Sequence, residues 1–271
     1  MPISMDHVSQ LVARLNRTKK LRVWSVIITF FGDAIVPRGG SVSARTVQVL
    51  LEHMGIEAGA VRTAFSRLTN DGWVVREKIG RSSFYHLSPT GLEPFAAATD
   101  RIYAQLSSVN HSTEGWQVSY QQQDYPKPHL IRLNSTDAKQ PHDTGQDFVL
   151  NGKIVNIPDW MKEISCPTDH KQSFAALMEA FSPVVNAQLS DIDALAVRCL
   201  LIHEWRRILF QFDNVAPEFW TPDWPEAECH RFVSTLYHQL LTSSEAWMDQ
   251  HASGLNGTLP RTPPALAQRF T

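Results

Sequence analysis

The apolar positions of this chain fall first into a helical rhythm. Val8, Leu11, Val12 and Leu15 follow the i, i+3, i+4, i+7 spacing of one helix face. A second helix is predicted over Leu21 to Ile35, with Val23, Trp24, Ile27, Ile28 and Phe31 apolar, and Pro37-Arg-Gly-Gly40 ends it. Ser43 is placed to cap a third helix that reaches Met54, and Gly55 suits the residue just past its end. Winding Ala58 to Asn70 at about 100° per residue gathers Val61, Ala64, Phe65 and Leu68 on one face. Gly59, Arg62, Thr63, Ser66, Arg67 and Asn70 fall on the other. Gly72 stops this helix, and a short hairpin with a basic tip at Gly80-Arg81 follows. Three helices and a two-stranded wing, in that order, predict a winged helix-turn-helix.

Beyond Ser88-Pro-Thr-Gly91 a connecting helix is expected over Leu92 to Leu106, then a polar linker from Ser107 to Gly115. The period then changes. Trp116 to Tyr120, His129 to Leu133 and Asp147 to Ile157 read as strands around the loop Asn134 to Gly145. Helices return over Pro158 to Ile164, Asp169 to Ala187, Asp191 to Phe212 and Pro225 to His251. The tail from Ala252, with Pro260, Pro263 and Pro264, is expected to be irregular. The predicted class is α+β and mostly helical. A winged helix-turn-helix domain with its connecting helix would span 1–106. A small central α/β domain over 107–165 is a candidate for dimerisation, and a C-terminal helical domain over 166–271 is a candidate for effector binding.

Composition adds little until it is divided. Hydrophobic residues make up 43% and charged residues 19% of the 271, which suits a folded, soluble chain. No run approaches the length of a membrane span, and the N-terminal segment carries charges where a signal peptide would be apolar. Cys166, Cys199 and Cys229 are odd in number and far apart, against a disulfide framework. A cytoplasmic location is expected. The net charge of −2 conceals a split: residues 1–91 carry +6 and the rest −8. A basic N-terminal third on an acidic body attracts a polyanion locally, whatever the total.

The outward face of the fourth helix carries the chemistry of a major-groove reader. Arg can grip guanine bidentately, Asn can pair with adenine, and Ser or Thr can hold a base or a phosphate. Arg62, Thr63, Ser66, Arg67 and Asn70 are therefore the candidate contacts to double-stranded DNA. Arg81, Ser82 and Ser83 at the wing tip, helped by Lys78, are candidates for its backbone or minor groove. A solvated face with Arg62 or Arg67 paired to Glu57 or Asp71 is the plain alternative, as is a merely polar hairpin turn.

In the helix Asp191 to Phe212, Arg198 and Arg206 fall inside the apolar arc instead of on the polar stripe of Asp193, Glu204, Arg207 and Gln211. A cation there needs a partner. Two partners are open: an acidic residue on a neighbouring helix, or a phosphate or carbonyl of a ligand. His203 lies at the stripe's edge, and Trp205, Trp220, Trp224 and Tyr237 either wall an aromatic pocket or form plain core. Cys199 and His203 sit i, i+4 and would make half a zinc site, but no second pair stands at matching spacing, so no metal and no cofactor are expected. No HExxH, GxSxG or P-loop occurs, and no nucleophile, base and orienting group assemble.

Several segments resemble the PaaX family of bacterial repressors of phenylacetate catabolism. They are Val26-Ile-Ile-Thr-Phe-Phe-Gly-Asp33, Gly55-Ile56, Val61-Arg-Thr-Ala-Phe-Ser-Arg-Leu68, Asp71-Gly-Trp73 and Gly80-Arg81-Ser-Ser-Phe-Tyr85. Leu200-Leu-Ile-His-Glu-Trp-Arg-Arg-Ile208, Pro222-Asp-Trp-Pro225 and Leu236-Tyr237 resemble that family's C-terminal region. The resemblance implies a winged helix, a central ferredoxin-like domain that mediates dimer contacts, and a helical C-terminal domain. It also implies repression by a homodimer, relieved by an aryl-acyl-CoA such as phenylacetyl-CoA. The middle segment is short, so a reduced ferredoxin-like domain is expected. The corner Asp213 to Trp220 departs from the family's Asp-Pro-x-Leu-Pro run. Arg198, His203, Trp205, Arg206, Trp224 and Tyr237 are the effector candidates. The alternative is an enzyme of acyl-CoA or nucleic-acid metabolism that docks through its winged helix; a third reading is an adaptor whose winged helix binds protein.

Overall fold

The computed structural model describes residues 7–105, 116–121, 130–135, 148–152, 155–212, 215 and 217–271. It is mostly helical with small antiparallel sheets, an α+β protein. Two compact units emerge: one joins residues 1–105, 168–214 and 225–271, the other joins 106–167 and 215–224.

The larger unit begins with α1 (His7–Thr18), which buries Val8, Leu11 and Leu15. Helix α2 (Val23–Phe30) starts two residues later than the periodicity predicts and ends differently. Its last turn widens into a π-helix over Phe31–Ile35, then a 3-10 turn over Val36–Arg38. The wide turn serves two side-chain demands. Gly32 leaves room for the Phe95 ring, which would lie 2.3 Å from any Cβ placed there. Asp33 is carried into the interior, 2% exposed.

Strand β1 (Ser41–Ser43) leads into α3 (Ala44–His53), whose first turn is capped by Ser43 Oγ accepting from the Thr46 N–H at 3.1 Å. Gly55, with φ of 76°, follows the end of α3 in the left-handed region, as its place past the helix predicts. Helix α4 (Ala58–Asn70) buries Val61, Ala64, Phe65 and Leu68, the four residues that the wheel assigns. Gly72 (φ 75°) turns the chain into β2 (Val74–Ile79), which pairs with β3 (Ser82–Leu87). The pair Ile79↔Ser82 fixes a two-residue loop, Gly80-Arg81. Strand β1 completes the sheet in the order β1-β3-β2, with Val42 opposite Tyr85. The Tyr85 ring stacks on Phe65 with centroids 3.8 Å apart and so welds the hairpin to α4. Ser88 caps α5 (Pro89–Ile102) and also donates its hydroxyl to Gly72 O, which ties the start of α5 to the turn after α4.

Helix α8 (Asp191–Gln211) is the axis of this unit and packs against α2, α3, α5, α7 (Thr168–Phe181) and α9 (Glu226–His251). Every residue from Ala194 to Trp205 is buried, so the helix is apolar nearly all round, as a central helix must be. A capping box between Ser190 and Asp193 starts it, and Asp193 also meets His53 of α3 at 2.7 Å.

The tail from Ala252 is not a loose end. Strands β7 (Ser253–Gly254) and β8 (Gly257–Thr258) form a small hairpin, and Leu255 N–H donates to Ser41 Oγ at 3.0 Å. Leu259, Leu266 and Phe270 are buried. Prolines stop helices and central strands, but they do not stop a segment from packing.

In the smaller unit β4 (Trp116–Gln121) lies between β5 (Leu130–Ser135) and β6 (Phe148–Gly152), both antiparallel to it. All three predicted strands are present, within one residue at their starts, though the third ends at Gly152 instead of Ile157. Helix α6 (Asp159–Ser165) packs on the 3-10 turn Pro217–Phe219, where Cys166 Sγ donates to Phe219 O at 3.3 Å. The predicted linker 107–115 and most of the loop 134–145 lie outside the described residues.

Candidate functional site

Arg62, Thr63, Ser66, Arg67 and Asn70 are all exposed on α4, opposite its apolar face. They divide into two rows. Arg62, Ser66 and Asn70, each four residues from the next, line a groove of about 330 Å³ between α3, α4 and the sheet. Thr63 turns its hydroxyl back to Gly59 O at 3.0 Å. Arg67 is outside the groove: its guanidinium pairs with Asp71 at 3.4 Å and lies 5.2 Å over the ring of Trp24 on α2. The exposed Arg67–Asp71 pair, the plain alternative for this residue, contributes little to stability.

The groove holds three polar residues that the sequence reading missed, Arg76 on β2, Gln48 on α3 and Thr69 on α4. Arg76 donates to Ser83 Oγ from Nη2 at 2.7 Å and from Nε at 3.1 Å, which spreads its guanidinium across the hairpin. Strand alternation carries the signal, since Arg76 shares its face with Lys78 two residues on. Lys78, Arg81 and Ser82 are exposed at the hairpin's far end, and Ser83 is half-buried under Arg76. The result is a concave surface lined by two cations, Arg62 and Arg76, with hydroxyls and the amides of Gln48 and Asn70.

A second constellation lies inside the larger unit. Arg198 is fully buried and meets Asp33 Oδ2 through Nε at 2.8 Å, Glu245 Oε1 through Nη1, and Ser244 Oγ at 3.0 Å. The neighbouring-helix carboxylate that the sequence requires is Glu245, joined by Asp33 from the π turn. Arg38 binds the other oxygen of Glu245 at 2.9 Å and also reaches Asp249. Arg269 reaches Asp33 Oδ1 at 2.8 Å and the Tyr237 hydroxyl at 2.9 Å, while the Tyr103 hydroxyl donates to Asp33 Oδ1 at 2.6 Å. Three guanidiniums thus meet three carboxylates. Burial opposes the charge on Arg198, yet Asp33, Tyr237 and Glu245 hold it well above its usual value. Burial pushes the Tyr237 phenol up to about 12.

The other effector candidates are dispersed. Trp205 is buried and donates its indole N–H to Ile102 O at 2.9 Å. Trp224 belongs to the smaller unit, where its backbone N–H donates to Thr221 O at 3.0 Å. Trp220, also there, donates its indole N–H to Val215 O at 2.8 Å. Arg206, half-buried, differs from Arg38, Arg198 and Arg269 in its partners: Nη2 donates to Ser25 Oγ at 2.6 Å, and no carboxylate pairs with it among the described residues. Burial pulls its charge below the ordinary guanidinium range. Cys199 Sγ points to Val26 O, and no three His, Cys, Asp or Glu side chains converge as metal ligands among the described residues.

His203 makes the interior sensitive to acid. Its Nδ1 lies 3.2 Å from Thr29 Oγ1, and burial followed by the charges of Arg206 and Arg207 pushes its pKa down to about 3. The unfolded imidazole, near 6.5, binds the proton more readily than the folded one. Stability is therefore undiminished by this group above about pH 6.5, falls as the pH drops, and continues falling toward pH 3. Urea midpoints between pH 7.5 and 4.5 should decline less steeply in His203→Gln than in the unaltered chain. Equal slopes would assign the acid sensitivity elsewhere.

Residues 22–91 match the family model described as PaaX-like protein, and residues 168–250 match that described as PaaX-like protein C-terminal domain. The curated transcriptional repressor PaaX of Escherichia coli (strain K12) is 23% identical over 282 residues, spanning 91% of this chain and 89% of its own. The solved structure of the uncharacterized protein Rv0674 from Mycobacterium tuberculosis covers 75% of this chain and 90% of its own, at 14% identity and a TM-score of 0.47. Among the described residues no helix is long and apolar enough to cross a membrane. Matched in order at both ends, by models that together span more than half of its residues, the chain belongs to the PaaX-like family.

Proposed function

We propose that this chain is a DNA-binding transcriptional repressor that acts as a homodimer and is released from its operator by an aryl-acyl-CoA such as phenylacetyl-CoA. In this reading α3, α4 and the β2–β3 hairpin form a winged helix-turn-helix. Helix α4 enters the major groove, and the hairpin lies along the adjacent backbone. The observation that carries the reading is the row Arg62, Ser66 and Asn70, exposed along one line of α4 and faced across a groove by Arg76. Arginine and asparagine at helical spacing match the acceptor and donor edges of bases, and a second cation across the groove matches a phosphate. The basic balance of residues 1–91 supports it, as does the repressor function of the Escherichia coli relative.

Release requires the thioester to prefer the arrangement that does not fit the operator, because equal affinity for both arrangements shifts nothing. The test is a fluorescence-anisotropy titration on the promoter nearest the gene, at several salt concentrations, with and without CoA thioesters. Saturable, salt-sensitive binding that phenylacetyl-CoA weakens is the expected result. Binding no tighter than to random duplex would sink the DNA reading. Operator binding that no CoA thioester weakens would sink the effector half alone.

A further inference from the structure

Two adjoining cavities in the larger unit share three residues. One, about 320 Å³, lies between α2, α5 and α8 and is walled by Ile28, Trp73, Phe95, Ile102 and Ile202. The other, about 360 Å³, opens beside the α1–α2 turn and is edged by Lys19, Lys20, Arg22 and Arg207. Trp24, Arg206 and Phe210 line both. Each volume falls at the lower end of the range of ligand pockets, roughly 300–1,000 Å³. The first is mostly apolar, with Asp33 and Arg206 at its wall; the second carries five cationic side chains, Lys19, Lys20, Arg22, Arg206 and Arg207, against one carboxylate, Glu204.

We propose that these cavities are the two halves of one site for an amphipathic anion, with a flat apolar group against Trp24 and Trp73 and a phosphate-bearing tail along Lys19, Lys20 and Arg22. The proposal rests on the effector reading above and gives it a location. Arg206 stands at the junction. Arg38, Arg198 and Arg269 each have a carboxylate, and Arg207 has Glu204 at 2.7 Å. Arg206, half-buried, has among the described residues only the Ser25 hydroxyl and backbone carbonyl and leaves its Nε without a hydrogen-bond partner. A buried cation without a carboxylate is costly unless an anion or a strong acceptor reaches it. The carbonyl or phosphate of an acyl-CoA supplies that acceptor. His203, uncharged at neutral pH, lines the cationic half without adding to its charge.

The same geometry joins the site to the reading helix. The ring of Trp24 carries the guanidinium of Arg67 from α4, and Trp73 follows the turn that ends α4. A ligand that displaces either indole therefore acts on α4 directly. Gly32 shows how closely the apolar half is fitted: a Cβ there would collide with the Phe95 ring and drive it inward.

Isothermal titration of the full chain with phenylacetyl-CoA, CoA and phenylacetate tests the site. The thioester should bind at least tenfold tighter than either half. Arg206→Gln, Ala98→Phe, which fills the apolar half, and the exposed-residue variant Lys20→Ala should each weaken thioester binding several-fold or more. Thermal midpoints should not fall, and ligand-free operator affinity should stay as in the unaltered chain. Arg67→Gln should leave thioester affinity within twofold while it reduces the ratio of operator affinities without and with ligand. If the unaltered chain binds no CoA thioester, the effector reading itself fails. If it binds and all three lining variants bind equally well, this location is wrong. An unchanged affinity ratio in Arg67→Gln overturns the route through Trp24.

Discussion

Asp33→Ala should destabilise the chain by about 3–5 kcal/mol, the cost of leaving buried charge uncompensated. Asp33 is 2% exposed and is the carboxylate shared by Arg198 and Arg269, while the Tyr103 hydroxyl donates to the same group. Its removal leaves Arg198 with one carboxylate among the described residues, Glu245, and leaves Arg269 with neutral oxygens. Asp33→Asn preserves the shape but not the charge, so it should recover little of the loss. Guanidinium unfolding followed by tryptophan fluorescence measures both. Arg198→Met on the Asp33→Ala background should cost less than the two single losses added together, because the partners act as a unit. A loss below about 1 kcal/mol for Asp33→Ala, the range of an exposed pair, would show that water reaches the network.

The second large effect concerns the groove. Arg62→Ala should weaken operator binding by about 1–3 kcal/mol and relax the preference at one base pair, if Arg62 reads a base edge. Arg76→Ala should act differently. It should weaken operator and random duplex alike and lower the salt slope by about one, as expected for a lost phosphate contact. Arg67→Ala provides the contrast, since its side chain lies over Trp24 outside the groove. Its loss should cost less than that of Arg62. If Arg67→Ala is the more damaging of the two, the groove is not where DNA sits.

The local pattern was legible wherever a periodic face met a stop. Val61, Ala64, Phe65 and Leu68 bury as the wheel requires, and Ser43, Gly55 and Gly72 stand where caps and turns need them. The identity of partners was not legible. The wheel shows that Arg198 needs a counter-charge, but not that Asp33, 165 positions away, supplies it. It places Arg67 on the outward face of α4, yet cannot show the ring of Trp24 waiting for it. Nor can periodicity recognise the tail, whose prolines hide a segment that closes on Ser41 and Asp33. Such contacts depend on tertiary neighbours, and no window of residues contains them.

The tail also sets a clock on biosynthesis. Arg269 reaches Asp33 across 236 positions. At about 5–20 residues per second, Asp33 leaves the ribosome roughly 10–50 s before its last partner does. During that interval the π turn and the helices around it lack the cation that completes their interior. A fragment that ends after α5 lacks both arginines that meet Asp33, Arg198 and Arg269, so it is not a faithful substitute for the whole.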